Sequence, residues 1–292
     1  MNQVVLNEPL SQISLLFVSG AMAFVALALV IFSFQLSKLA NEQKVDDKKF
    51  STLEKFGFVV LSLGTLVLTI GVVLRGVAAG RVPWANMYEF SISASLLILM
   101  VYLTALKIKD IRYIATFISG FVLIILFAAV SVFYVEVKTL MPALQSYWLV
   151  IHVIVAILAS SFFAVAAGFH IAYLVKSSRF AKKVMSLFPD LDQLERLAYR
   201  FNIVGFVLWS FTLIAGAIWA ERAWHRYWGW DTKEVWTFII WVLYAGYLHA
   251  MATRGWRGPK AAWLGLIAFS AVLFNFTIVN LFFKGLHVYS GL

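Results

Sequence analysis

The sequence predicts an all-α polytopic membrane protein with about eight transmembrane helices. Of its 292 residues, 62% are hydrophobic and only 13% are charged, about half the charged fraction of an average soluble chain. The apolar residues come in runs of roughly 20, the length that crosses a bilayer as a helix. This composition excludes a soluble globular protein. The chain has no cysteine, which also excludes thiol chemistry by its own side chains.

Uncharged apolar stretches define the spans in chain order. They lie at approximately 13–36, 55–77, 88–107, 113–134, 147–175, 202–221, 234–252 and 261–283. No Lys or Arg precedes the first span, which is also too long for a signal-peptide core, so we expect it to remain as a helix. We expect residues 1–292 to form a single integral membrane domain.

Positive charges predict the orientation, because cytoplasmic loops of membrane proteins carry an excess of Lys and Arg. The loops after spans one, three, five and seven hold 17 of the 24 Lys and Arg, whereas the opposite side holds 7. We therefore expect both termini outside and the loops 37–54 and 176–200 in the cytoplasm. This distribution explains the net charge of +10 without a nucleic-acid partner.

The external side is predicted to carry a tryptophan-rich segment, 219–236, between spans six and seven. It contains five of the eleven tryptophans, whereas the inner side offers only Trp256 and Trp263. A simple interfacial belt decorates both faces of a membrane, so we favour a binding platform for a planar ligand. Asp231 and Glu234 fit a capping box at the start of span seven, and a structural role is the simpler interpretation for them.

Histidines inside membrane spans are costly and therefore indicate function, although a neutral histidine bonded to a backbone carbonyl is an alternative of comparable weight. His152 and His287 share the outer side with the tryptophans, where two imidazoles could hold haem iron between them. His170 and His249 lie at similar depth in the inner leaflet, as a second haem site or as two separate satisfied histidines. His225 is expected to be exposed, without a ligand role.

The run 228–236, Trp-Gly-Trp-Asp-Thr-Lys-Glu-Val-Trp, resembles the tryptophan-rich WWD signature of haem-handling proteins in cytochrome c maturation. Its context resembles the CcsA/ResC-type subunit of the System II cytochrome c synthase. The resemblance covers most of the chain, including the stretches 83–89, 148–153, 247–249 and 285–289.

The resemblance implies that His152 and His287 are the external axial ligands of haem b. It also implies that His249 belongs to an intramembrane haem site, opposite a histidine of a CcsB/ResB-type partner. His170 has no place in the pattern, and we favour an incidental role for it. The WWD side chains expected to cradle the porphyrin are Trp224, Trp228, Trp230, Asp231 and Trp236. For the haem propionates, Arg226 and Arg81 are the expected partners.

The implied activity is that of a cytochrome c haem lyase or synthase subunit. Thioether bonds would form between haem vinyl groups and the thiols of a Cys-x-x-Cys-His segment in apocytochrome c, so the substrate brings the thiols that this chain lacks. Because little sequence precedes span one, we expect the CcsB/ResB-type partner to be a separate chain. Thiol-reducing maturation factors are further expected partners. The expected location is the bacterial plasma membrane, with the thylakoid membrane as the alternative.

Two other functions remain open on the sequence, and no catalytic residue is assigned beyond the haem ligands. A haem exporter or chaperone would use the same histidines without forming the bond. A membrane electron-transfer subunit would carry two b-type haems, with His170 and His249 holding the inner one. The 18 residues from His152 to His170 keep both on one helix face. An electron-transfer subunit, however, has no need for the tryptophan segment.

Overall fold

The computed structural model describes residues 6–41, 51–140, 144–178, 188–253 and 255–283. Within these ranges the chain is all-helical and contains eight helical segments long and apolar enough to cross a membrane. The predicted fold class is confirmed. Which end of the bundle faces the cytoplasm stays a prediction.

The helices follow the predicted spans in order, most of them within a few residues. Their bounds are α1 (Glu8–Asn41), α2 (Thr52–Ala79), α3 (Met87–Ile108), α4 (Ala115–Ser131), α5 (Tyr147–Ser177), α6 (Leu191–Trp224), α7 (Thr232–Ala252) and α8 (Pro259–Phe274). A 3-10 turn, Arg112–Ile114, precedes α4. The last span continues beyond α8 as a π-helical segment, Asn275–Val279, and a short α9, Asn280–Phe282.

The largest difference from the predicted spans concerns α6. Residues 191–200 lie in the predicted loop 176–200, in which residues 189–195 indicate a turn and a short surface helix; in the structure they form the first turns of α6 itself. Asp190 caps it, with Oδ1 accepting from the Gln193 amide at 2.6 Å, and Glu195 Oε1 accepts the Gly258 amide at 2.6 Å. These turns are polar and so escape a search for apolar runs, although charged side chains are good helix formers outside the bilayer. Similarly, α1 continues to Asn41 into the expected loop 37–54.

Adjacent spans run antiparallel, and α5 is the central helix of the bundle. It packs along α6 over most of its length and also contacts α3 and α8, while α1 packs along α2. Small residues permit this close approach, as is typical of membrane helices. A Cβ at Gly168, for example, would lie 2.8 Å from the Phe117 ring on α4. We call the end at which α3, α5 and α7 begin the upper end; it corresponds to the predicted external side.

Candidate functional site

A large cavity opens at the upper end between α3, α4, α5, α6, α7 and the last span. It holds about 1600 Å³ of space outside the protein atoms, including its open mouth. Its walls are mainly apolar and aromatic, with Phe90, Phe121, Leu213, Phe269 and Phe276 among the lining residues. A cavity with such a lining suits a mainly apolar ligand.

His152, in the second turn of α5, lines this cavity. Its Nδ1 lies 2.9 Å from the backbone carbonyl oxygen of Thr212 on α6. Because a carbonyl oxygen can only accept, Nδ1 donates the hydrogen bond, and Nε2 of the neutral ring keeps its lone pair. The ring lies nearly parallel to Trp219, at 6.5 Å between centroids. A backbone carbonyl on one ring nitrogen is how metal-binding histidines are commonly oriented.

Gly216 on α6 makes room for the imidazole. A Cβ at this position would lie 2.8 Å from Cε1 and 2.9 Å from Nδ1 of His152. Contacts that short do not occur between real side chains, so a larger residue at 216 would displace the ring. Gly216 and His152 therefore form one unit in the cavity wall.

The structure distributes the tryptophans of 219–236 over different surroundings. Trp228 lines the cavity, and its ring meets Trp230 edge-on at 5.9 Å between centroids. Trp230 itself is 75% exposed. Trp224 is not among the described cavity-lining residues, but it packs edge-on, at 4.7 Å, against Trp219, which is one of them. Trp236 is not among the described cavity-lining residues, and its ring lies 4.4 Å from that of Phe274 on α8.

Glu234 holds the turn that carries Trp228 and Trp230. Its Oε2 accepts the backbone N–H groups of Gly229 at 2.7 Å and Asp231 at 3.0 Å. Asp231 caps α7 in return, so the predicted capping box is confirmed. Trp230 adopts a φ of 60°, a conformation that bulky residues rarely occupy and that is often found at functional sites. The turn therefore has a defined and strained shape.

Of the two expected propionate partners, Arg81 is paired with a carboxylate, whereas Arg226 packs beside the tryptophan-rich turn. The Arg226 guanidinium occupies the space that a side chain at Gly229 would need, and it lies 5.8 Å from the Trp224 ring centroid. Arg81 donates to both carboxylate oxygens of Glu89, at 2.6 and 3.1 Å. In the described part of the chain, neither arginine belongs to the cavity wall.

Glu89 lies between two arginines and fixes a further part of the cavity wall. The fully buried Arg75 donates to Glu89 Oε1 at 3.1 Å and to Ser11 Oγ at 2.8 Å. Glu89 Oε2 also accepts the Ala85 amide at 2.9 Å. This ion cluster orders the turn between α2 and α3, which contributes Trp84 and Ala85 to the cavity.

Sequence reasoning misses Lys233, Asn275 and Asn280, which all line the cavity. Lys233 Nζ donates to the Asn275 carbonyl oxygen at 2.7 Å and to Asn280 Oδ1 at 2.8 Å. Asn275 begins the π-helical segment, a type of irregularity that is frequent at functional sites. The available signal was the pair of asparagines within the last apolar span.

The two histidines of the lower half lie in different surroundings. His170 is buried, with Nε2 3.0 Å from Asn202 Nδ2, and its ring packs against Gly265 of α8. The ring also meets Tyr247 edge-on at 5.3 Å. His249, in contrast, is exposed on α7. The remaining predicted ligand, His287, lies outside the described residues.

Residues 84–287 match the family described as cytochrome C assembly protein. The chain belongs to this family. It is 31% identical to the cytochrome c biogenesis protein CcsA of Guillardia theta, over 94% of this chain and 96% of that protein. It is 33% identical to CcsA of Prochlorococcus marinus strain MIT 9313, over 79% and 83% of the two chains. The resemblance to CcsA-type proteins is thereby confirmed.

A solved structure, the cytochrome c haem lyase CcmF, has a similar fold with a TM-score of 0.69. The match covers 91% of this chain but only 46% of the CcmF chain, at 16% identity. At this identity the likeness concerns the fold alone. Together with the eight apolar segments, these comparisons make the chain an integral membrane protein of cytochrome c biogenesis.

Proposed function

We propose that this cytochrome c assembly protein binds haem in the upper cavity and presents it for covalent attachment to apocytochrome c. One observation carries the proposal. His152 lies in the cavity wall with Nδ1 bonded to the Thr212 carbonyl, which leaves Nε2 as the nitrogen for haem iron. Haem is the substrate, and its vinyl groups supply the carbons to which the thiols of a Cys-x-x-Cys-His segment add.

The polar atoms of the cavity wall support an amphipathic ligand rather than a purely apolar one. Four buried side chains there each have one atom without a hydrogen-bond partner among the described residues. These atoms are Trp84 Nε1, Ser91 Oγ, Glu234 Oε1 and Asn275 Oδ1. Buried polar groups in proteins are nearly always bonded, so such atoms favour a ligand with polar groups of its own. Haem combines an apolar macrocycle with two carboxylates, which can accept from Trp84 Nε1 and Ser91 Oγ but cannot donate to Glu234 Oε1 or Asn275 Oδ1.

The contribution of this chain to the reaction is positioning. The carbonyl of Thr212 and the close approach of Gly216 fix the His152 ring. The turn held by Glu234 fixes Trp228 at the cavity wall. A substrate held in one orientation beside incoming thiols reacts faster, because the encounter has already been restricted to a productive geometry.

The proposal also includes ligands, partners and a membrane location that lie outside the described cavity. His287 serves as the second external ligand of haem b. His249, exposed on α7, faces a CcsB/ResB-type partner and joins an intramembrane haem site with it. Thiol-reducing factors keep the apocytochrome thiols ready for attachment. The external end is the upper end, in the bacterial plasma membrane or the thylakoid membrane.

The packing of His170 weighs against the electron-transfer alternative. Its Nε2 is 3.0 Å from Asn202 Nδ2, and the ring lies where a side chain at Gly265 would be. Haem iron could approach Nε2 only if α5, α6 and α8 separated. The inner pair of ligands that this function needs is therefore not preformed.

The test is covalent attachment in cells. The chain is expressed with its membrane partner and a Cys-x-x-Cys-His reporter in cells lacking other maturation machinery, and haem that survives denaturing electrophoresis is measured. We expect covalent haem with the wild type and with His225→Gly, a control at an exposed position with a φ of 56°. We expect none with His152→Gly. Haem delivered to the reporter's compartment without covalent attachment would contradict the proposal and favour an exporter.

A further inference from the structure

The cavity wall carries its positive charge at a residue that the sequence does not single out. Among the described lining residues, the charged side chains are Lys233 and Glu234. Glu234 directs Oε2 to two backbone amides of the turn. Lys233 is therefore the cation available inside the cavity.

The ammonium group of Lys233 is held by neutral acceptors. Two of its three N–H donors go to the Asn275 carbonyl and to Asn280 Oδ1. In the described ranges, the ion pairs join other residues and do not include Lys233. The carboxylate of Asp231, two residues earlier in the chain, attracts this ammonium electrostatically. An anionic group of a ligand would accept the third N–H and add to that attraction.

A hydroxyl donor lines the same cavity as this ammonium. Asn275 is followed by Phe276, whose ring stacks on Phe90 at 4.9 Å between centroids. The next residue, Ser91, lines the cavity, and its buried Oγ has no partner among the described residues. Lys233, Ser91 and the two stacked rings thus all line one cavity. A cavity with an ammonium, a hydroxyl and aromatic surface suits a carboxylate attached to a flat ring system.

We infer that Lys233 binds a propionate carboxylate of the ligand, and that Asn275 and Asn280 position its ammonium for this contact. The inference rests on the proposed binding of haem in this cavity. It replaces Arg226 and Arg81 as the expected partners, because neither is among the described lining residues of the cavity and Arg81 is paired with Glu89. It also assigns a role to the π-helical segment, since the carbonyl that holds Lys233 lies at its start.

The test compares ferric haem with its dimethyl ester, in which two methyl groups remove the charge of both carboxylates, on the full chain purified with its membrane partner. We expect the wild type to bind haem about tenfold or more tightly than the ester, the size of a charge-assisted hydrogen bond. Lys233→Gln keeps an N–H donor for the Asn275 carbonyl but removes the charge, so this preference should fall below about twofold. Lys233→Arg should retain it.

The matched control is Lys138→Gln, a change at an exposed lysine beyond the upper end of α4, which should leave the preference unchanged. A wild type that binds haem and the ester equally well would overturn the inference while leaving the proposed function intact, and this result needs no variant to fold. A preference retained in Lys233→Gln would overturn it as well. A wild type that binds neither probe would overturn the proposed function itself.

Discussion

His152 and His170 lie 18 residues apart on the same helix, and the structure gives them opposite surroundings. Each ring packs against a glycine of a neighbouring helix, Gly216 or Gly265. His152 bonds a carbonyl through Nδ1 and borders the cavity. His170 has Nε2 beside Asn202, within a closed interface of three helices. The space around the second ring nitrogen, rather than the helix face, distinguishes a ligand histidine from a packing histidine.

The largest loss of bound haem is predicted for a substitution at His152. Replacing it by glycine removes the nitrogen that binds haem iron and leaves a gap in the cavity wall. We expect the haem bound in the upper cavity to fall by more than about tenfold, since even loss of an outer-shell partner reduces metal binding tenfold or more, while haem at the intramembrane site remains. Added imidazole should restore the haem absorption spectrum by filling the gap. An unchanged haem content without imidazole would remove His152 as a ligand.

At His170 the comparison predicts a loss of stability rather than a loss of haem. His170→Ala leaves the Asn202 amide without its partner and creates a buried cavity. Together these effects cost about 2–4 kcal/mol. Thermal unfolding of the detergent-solubilised protein measures this loss, and haem per folded chain should equal that of the wild type. Loss of haem with normal thermal stability would reverse the assignment of the two histidines.

Hydropathy and charge predict the fold of this chain well, because bilayer crossing depends on local composition. They place His152 near the tryptophan segment, and the Asp231–Glu234 capping box is also a local pattern. The Thr212 carbonyl that orients His152 could not be predicted in this way. It lies 60 residues further along the chain, and its approach depends on how α5 and α6 are rotated against each other.

The contacts of charged residues at the upper end could not be predicted from the sequence either. Arg81 looks like a free external cation in the sequence, whereas the folded chain pairs it with Glu89. Lys233 looks like part of a helix start, yet it reaches the last span 42 residues away. Which cation is available to a ligand depends on contacts between spans, and composition carries little information about them.

A smaller loss of haem binding is predicted for a substitution at Gly216. In Gly216→Ala the new Cβ would lie 2.8 Å from Cε1 of His152, so the ring must move away from the Thr212 carbonyl. We expect haem affinity to fall by about tenfold, equivalent to about 1.4 kcal/mol, measured by haem titration. Gly246→Ala is the matched control, because nothing lies within 4 Å of a Cβ there. Equal affinities of the two variants would mean that the His152 orientation does not matter for binding.

The central claim, that His152 Nε2 binds haem iron in the upper cavity, is tested most directly by an experimental structure. The full chain is purified with its membrane partner, loaded with haem and imaged by cryo-electron microscopy. The account predicts haem between Trp228 and the helices of the cavity, with iron bonded to His152 Nε2 and Nδ1 still on the Thr212 carbonyl. Haem bound to His170, or bound away from the cavity with His152 free, would contradict it.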